Sequence, residues 1–305
     1  MFWHLPVYEP LVLRSLNGNC IKVNHGKISI LTDKEENVYE IPEFPFSHIF
    51  ITGRGFVSND AVRVFSEKNI PITYLYLDGT IQSQLIHSIN TNQQDSRIRY
   101  KQYETALKRK RSMKIYNSII DFRKRSANSI LQRIGYEPTN DKLPEGIFIR
   151  YYFDKLLKHL SEKTGLPVQN RRLVNSLNYR ATNKLNALLN FAYHLSEYQS
   201  RLVVIANGLD PKVGFFHRPY VYKEPLVYDT QELIRHISEL AILNIANKIQ
   251  SNQFNPYGNR EYKCNPELIE QVIHSFYVQY NQSVFSRQVG QVRKYICGQI
   301  KSLTL

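Results

Sequence analysis

The sequence predicts an α+β fold, with a small N-terminal β-sandwich or sheet domain followed by a larger all-α domain. Three observations carry that expectation. Residues 1–88 hold short β-branched and aromatic runs in which apolar and polar positions alternate. Residues 89–96, INTNQQDS, are polar and weakly structured, which makes them the linker. In residues 97–305 apolar side chains recur at spacings of three and four, the mark of amphipathic helices. A chain of 305 residues suits one large or two medium domains, and a hydrophobic fraction of 42% is enough for a core.

The N-terminal elements follow in order. Ile28 and Ile30 alternate with polar neighbours, as do Ile49 and Ile51. Gly53-Arg54-Gly55 begins like a dinucleotide loop, but Ser58 stands where the third glycine belongs, so the segment reads as a strand-end turn. Ser58-Asn59-Asp60 caps a short helix bearing Ala61, Val62, Val64 and Phe65. Pro71 to Leu77 is a strand, and Asp78-Gly79 before Thr80-Ile81 is a hairpin signal. Nothing in this half looks catalytic. Its expected use is packing or dimerisation.

The helical part opens on a basic stretch. Arg97, Arg99, Lys101, Lys108, Arg109, Lys110, Arg111, Lys114, Arg123, Lys124 and Arg125 are opposed only by Glu104 and Asp121, with Tyr100, Tyr103 and Tyr116 interleaved. Such a stretch meets phosphates and stacks on exposed bases. Pro144 favours a helix start at Glu145. Glu145, Ile149, Tyr152 and Phe153 share one stripe. The carboxylate therefore points inward and needs a metal or an arginine, or else it answers the helix dipole from the first turn. Arg171, Arg172 and Arg180 precede a long helix with a Leu185, Leu188, Leu189, Ala192, Leu195 core stripe, and Asn207-Gly208 ends it. Asp229 and Glu232 lie three apart on one face of the next helix, which continues through His236, Leu240 and Leu243. His217 sits upstream in a segment broken by Gly214, Pro219 and Pro225. Histidine with carboxylates is a usable set for a divalent metal, and a solvated acidic face is the other reading. His194 and His236 read as surface or supporting residues. Asn252 to Asn259 is a polar loop. The last helix puts Phe285, Val289, Val292, Ile296, Ile300 and Leu303 on one face and a basic ridge of Arg287, Lys294 and Lys301 on another.

Charge and cysteines narrow the function classes. A net charge of +14 points to a polyanion. An acidic membrane surface fits poorly, because the basic helices lack the broad apolar face that insertion needs. Cys20, Cys264 and Cys297 are far apart with no CxxC, against a zinc module or a disulfide framework, so a reducing cytoplasm is expected. No apolar run is long enough to span a membrane, and the first residues do not form a secretory signal.

Three separated blocks give the chain a family resemblance. Glu145-Gly146 with Arg150, Tyr152 and Phe153 resembles an EG…R…YF helix. Leu185 to Tyr193, then Gly208-Leu209-Asp210-Pro211 and Gly214-Phe215-Phe216-His217, resembles an NALLNFGY…GLDP…GFLH run. Asp229, Glu232 and Arg235 match a DxxExxR helix. Together these blocks resemble the CRISPR-associated integrase family, the first-numbered and most widely shared Cas protein. Asn183-Lys184, Ala192 and the segment between His217 and Asp229 depart from its pattern.

The resemblance implies a helical, metal-dependent catalytic domain over 97–305. Glu145, His217 and Glu232 would be ligands to Mg²⁺ or Mn²⁺, with Asp229 an added acid of the site. It implies an integrase and endonuclease of CRISPR adaptation that joins 3′-OH ends of short DNA fragments into the repeat. Its partners would be double-stranded DNA, a second copy of the chain through the β domains, and the small second-numbered Cas protein. Arg109, Arg111, Lys114, Arg150, Arg235, Arg287, Lys294 and Lys301 are the expected DNA contacts, with a structural salt bridge an equal reading for Arg150 and Arg235. A stand-alone integrase of a related mobile element and a non-catalytic DNA-binding scaffold are the alternatives.

Overall fold

The structure, a computed structural model, describes residues 9–33, 35–77, 79, 81–85, 96–168, 183–217, 223–257 and 261–305. Most of the linker, together with Asp78, Thr80, Arg171, Arg172, Arg180 and Pro219, lies outside the described residues.

The alternating segments of the N-terminal part pair into one sheet, not a sandwich. Strands β1 (Glu9–Asn24), β2 (Lys27–Leu31), β3 (Glu36–Glu40), β4 (Phe46–Val57), β5 (Ile72–Leu75) and β6 (Ile81–Leu85) lie in the order β3-β2-β1-β4-β5-β6. β1 and β5 both run parallel to β4; the other pairings are antiparallel. A parallel neighbour needs a crossover, and helix α1 (Asn59–Glu67) supplies it between β4 and β5. Ser58 caps α1 by accepting from the Ala61 amide, and Ala61, Val64 and Phe65 press onto Ile28, Ile30, Ile49 and Ile51. The Gly53–Gly55 segment is not a strand-end turn. It runs on inside β4, where a Cβ on Gly55 would stand 2.0 Å from the Asn19 carbonyl oxygen, so glycine serves close strand approach at an irregular register.

The second part contains α2 (Ser96–Leu107), α3 (Arg109–Arg133), α4 (Glu145–Thr164), α5 (Lys184–Ala206), α6 (Pro225–Gln231), α7 (Arg235–Ile245), α8 (Pro266–Gln279) and α9 (Gln282–Ile296). It is not wholly α. The segment read as a polar loop enters a two-stranded hairpin of β7 (Phe254–Tyr257) and β8 (Glu261–Cys264), whose paired Phe254 and Cys264 are buried on the main core. α5 runs through the middle of this domain, buried along most of its length. The last helix stops early: α9 ends at Ile296, Gly298 takes φ +72°, and Leu303 reaches the core from beyond the helix. Among the described residues no helix is long and apolar enough to cross a membrane.

The sheet is joined to the helices by apolar and polar contacts. Phe50 and Leu75 belong to the same buried cluster as α4, α5 and α8. Gly79, at φ +77°, tucks its turn so closely that a Cβ would lie 2.8 Å from Ile269. His48, on β4, stacks on Phe50 at 4.2 Å. It bonds Thr73 through Nε2 at 2.8 Å and meets the Tyr277 hydroxyl at Nδ1, at 2.9 Å. Burial drives its pKa down to about 3, so the ring is neutral.

Candidate active site

The loop that carries His217 is fastened from two sides. Gln102 of α2, fully buried, donates to the carbonyls of Asp210 (2.9 Å) and Val213 (2.6 Å) and accepts from the Asp210 amide (2.8 Å). Ser112 of α3 donates to the Phe215 carbonyl. From the other side comes Asp229 of α6. Its carboxylate accepts the backbone N–H groups of Phe215, Phe216 (3.1 Å) and His217 (3.2 Å). Gly214 makes this closure possible, because a Cβ there would stand 2.7 Å from Asp229 Oδ2.

Asp229 also binds the His217 ring, Nδ1 to Oδ1 at 2.6 Å. A carboxylate on Nδ1–H fixes the tautomer and leaves the Nε2 lone pair for a ligand. That bond raises the His217 pKa against the opposing pull of burial. Asp229 is fully buried with both oxygens engaged, so it positions His217 and does not itself face the open site. Asp229 and Glu232 therefore do not share an open helix face. The helix breaks between them: α6 ends at Gln231, Glu232 is its C-cap, and α7 begins only at Arg235.

Glu232 is turned to two guanidinium groups. It pairs with Arg235, and Arg123 Nε stands 3.6 Å from its Oε2. Arg235, expected on DNA, is thus tied to the nearest carboxylate three residues back, and its guanidinium lies 4.7 Å from the Tyr193 ring centre. Behind Glu232 is a sealed cluster. Arg123 Nη1 donates to Glu239 Oε2 at 2.9 Å, and the hydroxyls of Tyr152 and Tyr193 each donate to Glu239 at 2.6 Å. Burial opposes the Glu239 charge, and Arg123 with these hydrogen bonds outweighs it, so its pKa is lowered.

Glu145 starts α4 with Pro144 at the N-cap. Contrary to the inward reading, it is an exposed residue at the rim, where both its oxygens accept from the Tyr116 hydroxyl at 3.2–3.3 Å. Desolvation and the Glu232 charge raise its pKa, while Tyr116, Lys124 and His217 pull it down. The Tyr116 pKa is raised by burial and by the charges of Glu145, Glu232 and Asp229. Glu145, His217 and Glu232 thus lie near enough for their charges to act on one another, with Tyr116 bonded to Glu145. Tyr116 was read as a base-stacking surface tyrosine; it is buried, and stacks on Phe216 instead.

The basic residues divide. Arg109, Arg111, Lys114, Arg150, Arg287, Lys294 and Lys301 are exposed. Arg123 and Lys124 are buried, Lys124 donating to the carbonyls of Asp141 and Leu143. Lys301 does not continue the α9 ridge. It lies past the helix end, where its carbonyl accepts from Lys114 at 3.1 Å. Arg109, Lys110 and Lys114 line a shallow groove along α3 with Asp121.

The donor types fit a divalent cation: two carboxylates and an imidazole nitrogen freed by its Nδ1 partner. Among the described residues no group of three or more His, Cys, Asp or Glu side chains is placed to hold a metal ion; Glu232 is turned to Arg235 and Arg123 instead.

Comparison with known proteins shows the family and the fold. A family model described as CRISPR associated protein Cas1 matches residues 14–145 and 142–277. A CRISPR-associated exonuclease Cas4/endonuclease Cas1 fusion from Leptospira interrogans is 38% identical over 91 residues, 30% of this chain and 16% of the fusion. A CRISPR-associated protein Cas1 from Methanobrevibacter ruminantium is 23% identical over 239 residues, 68% of this chain and 69% of that protein. In fold, the chain is similar to a casposase bound to integration product, with TM-score 0.76, 20% identity, and coverage of 97% of this chain and 92% of that one. It is similar also to a Cas1 protein from Thermotoga maritima, with TM-score 0.75, 16% identity, and coverage of 97% and 99%. A chain of a Cas6-RT-Cas1–Cas2 complex has TM-score 0.62 at 14% identity, over 96% of this chain and 35% of that one.

Proposed function

The chain belongs to the Cas1 family of CRISPR-associated proteins, and from that premise we propose that it is a metal-dependent DNA integrase and endonuclease of CRISPR adaptation. It joins the 3′-hydroxyl of a short DNA fragment to a phosphate at the repeat boundary by transesterification, or cuts when water takes the place of that hydroxyl. The observation that carries this reading is the family match over residues 14–145 and 142–277, supported by a His217 ring held at Nδ1 by Asp229 and by Glu145 and Glu232 lying near enough for their charges to act on each other.

Mg²⁺ or Mn²⁺ held by Glu145, His217 and Glu232 would supply a Lewis acid to the scissile phosphate. The chain's own groups do the rest. Asp229 holds the imidazole at a set angle and closes the 214–217 loop under it. Arg123 backs Glu232 from the buried side. Arg235 pairs with Glu232 and would have to yield that carboxylate to a bound cation. Arg109, Arg111, Lys114, Arg150, Arg287, Lys294 and Lys301, exposed on α3, α4, α9 and the tail, neutralise DNA phosphates and set its register without reading bases. The strand transfer needs no covalent protein intermediate, so no serine, tyrosine or cysteine acts as nucleophile.

Double-stranded DNA is the partner that net charge and family support. A second copy of the chain and the small Cas2 protein are proposed with it, the latter because a fold neighbour is a chain of a Cas1–Cas2 assembly. A casposase-like integrase acting without Cas2 is the second reading, favoured by a fold likeness equal to that for a Cas1 protein. The test is strand transfer of a labelled duplex into a supercoiled repeat-bearing plasmid, with Mn²⁺, Mg²⁺ or EDTA, and with or without Cas2. Wild type should join only with metal, and His217→Ala should lose about 10³-fold or more, as expected when a ligand to a Lewis acid is removed. DNA binding without joining or cutting under any metal, even with Cas2 added, would leave a non-catalytic scaffold as the account.

A further inference from the structure

We propose that Phe216 is a stacking platform for one nucleobase beside the reacting phosphate, an inference that rests on the DNA-joining function above. The Phe216 and Tyr116 rings are parallel, with centroids 4.0 Å apart and 9° between planes. Tyr116 is 5% exposed, whereas Phe216 is 47% exposed. His217 meets Phe216 edge-on, at 5.6 Å and 86°. With one face on Tyr116 and an edge on His217, Phe216 leaves its opposite face to solvent.

A single exposed apolar residue is ordinary on a protein surface. Place and support distinguish this one. The ring directly precedes His217 in the chain, and the tyrosine beneath it hydrogen-bonds Glu145. One two-ring stack thus touches Glu145 and His217, two of the three residues proposed as ligands. The backbone under Phe216 is also held, its amide donating to Asp229 at 3.1 Å. Nothing in that bond requires a phenyl side chain, so the fold fixes the ring's seat without using its outer face. A flat face, rigidly backed and open beside an acid–imidazole site on a basic protein, suits the π-face of an unstacked base, and any base satisfies it. The platform orients the nucleotide next to the reacting phosphate and is indifferent to its sequence.

The experiment places 2-aminopurine, one position at a time, along both strands around the reacting ends. It compares wild type with Phe216→Ala and Phe216→Leu, each checked for unchanged circular dichroism. Bound wild-type protein should quench one position strongly, and both variants should lose that quench. Single-turnover strand transfer is then measured with a natural or an abasic nucleotide at the quenched position. Phe216→Ala should slow the natural substrate about five- to 150-fold, the range for removing one base–aromatic stack, and should barely change the abasic one. Equal slowing on both substrates, or quenching at no position or unaltered by the variants, would overturn the proposal. If wild type binds but does not join, the integrase reading fails separately, and the fluorescence arm still decides whether a base stacks on Phe216.

Discussion

Two carboxylates seven residues apart face the same arginine and have opposite fates. Glu239 is sealed: its side chain is 0% exposed, and Arg123, Tyr152 and Tyr193 occupy both oxygens. Glu232 is 12% exposed and meets Arg123 only at 3.6 Å, with Arg235 as its other partner on the open side. A buried charge is tolerated only when its lone pairs are all answered, which makes Glu239 part of the fold. Glu232, partly exposed and held less closely, is the one of the two that a ligand would reach by displacing Arg235. The comparison teaches that the site is marked by incomplete satisfaction next to complete satisfaction, not by acidity as such.

The largest effects should separate the pair by kind. Glu232→Ala should lower metal-dependent joining about 10³-fold or more and should cost less stability than Glu239→Ala, because Arg123 keeps its bond to Glu239 and Arg235 is partly exposed. Glu239→Ala should cost about 3–5 kcal/mol of stability, since it strands the Arg123 charge in the interior. Chemical denaturation with a parallel joining assay reads both. If Glu239→Ala left stability unchanged, the sealed cluster would not be structural.

A smaller effect sharpens the contrast at the ring. Asp229→Asn keeps a side-chain oxygen for the loop amides but removes the charge on His217. Mn²⁺ affinity should weaken about 10–100-fold, the usual cost of losing a carboxylate behind a metal-ligating histidine, and added Mn²⁺ should restore joining. Calorimetric titration of Mn²⁺ checks it, and an unchanged affinity would remove Asp229 from that role.

The last prediction concerns His48, sealed as Glu239 is but neutral. Its folded pKa, about 3, lies below the unfolded value near 6.5. Between those values the unfolded chain binds a proton that the folded chain refuses. Stability contributed by this site is therefore whole above about pH 6.5 and falls as pH drops, by about 1.4 kcal/mol per unit once well below 6.5. His48→Gln should flatten the denaturation free energy between pH 6 and 4 by about one proton. An identical slope in the variant would show that the ring charges in place.

Much of the frame was readable along the chain because its signals are local. The alternation at Ile28 and Ile30, the Ser58 cap and the Asn207-Gly208 helix end depend on near neighbours, and each formed as read. His217, Glu145 and Glu232 were picked out by residue type and block spacing. The misreadings have a common cause. Arg123 and Lys124 look like surface charge until Glu239 and the 141–143 carbonyls, distant in sequence, close on them. Tyr116 looked like one more tyrosine in a basic stretch, and only its bond to Glu145 marks it as part of the site. The break at Glu232 comes with Asp229 bonded to the 215–217 amides, long-range contacts that periodicity does not register.

By itself the sequence determined the order of a β part and a helical part, the basic surface, the family, and the acids and histidine proposed for the site. Those follow from patterning, composition and motif blocks, all properties of one dimension. Tertiary structure alone decided which carboxylate is sealed and which stays partly exposed, that Asp229 supports His217 from within, and that Phe216 lies flat on Tyr116 beside His217. Burial and hydrogen-bond satisfaction are set by groups far apart in the chain, and the same glutamate is a strut or a ligand according to what closes over it.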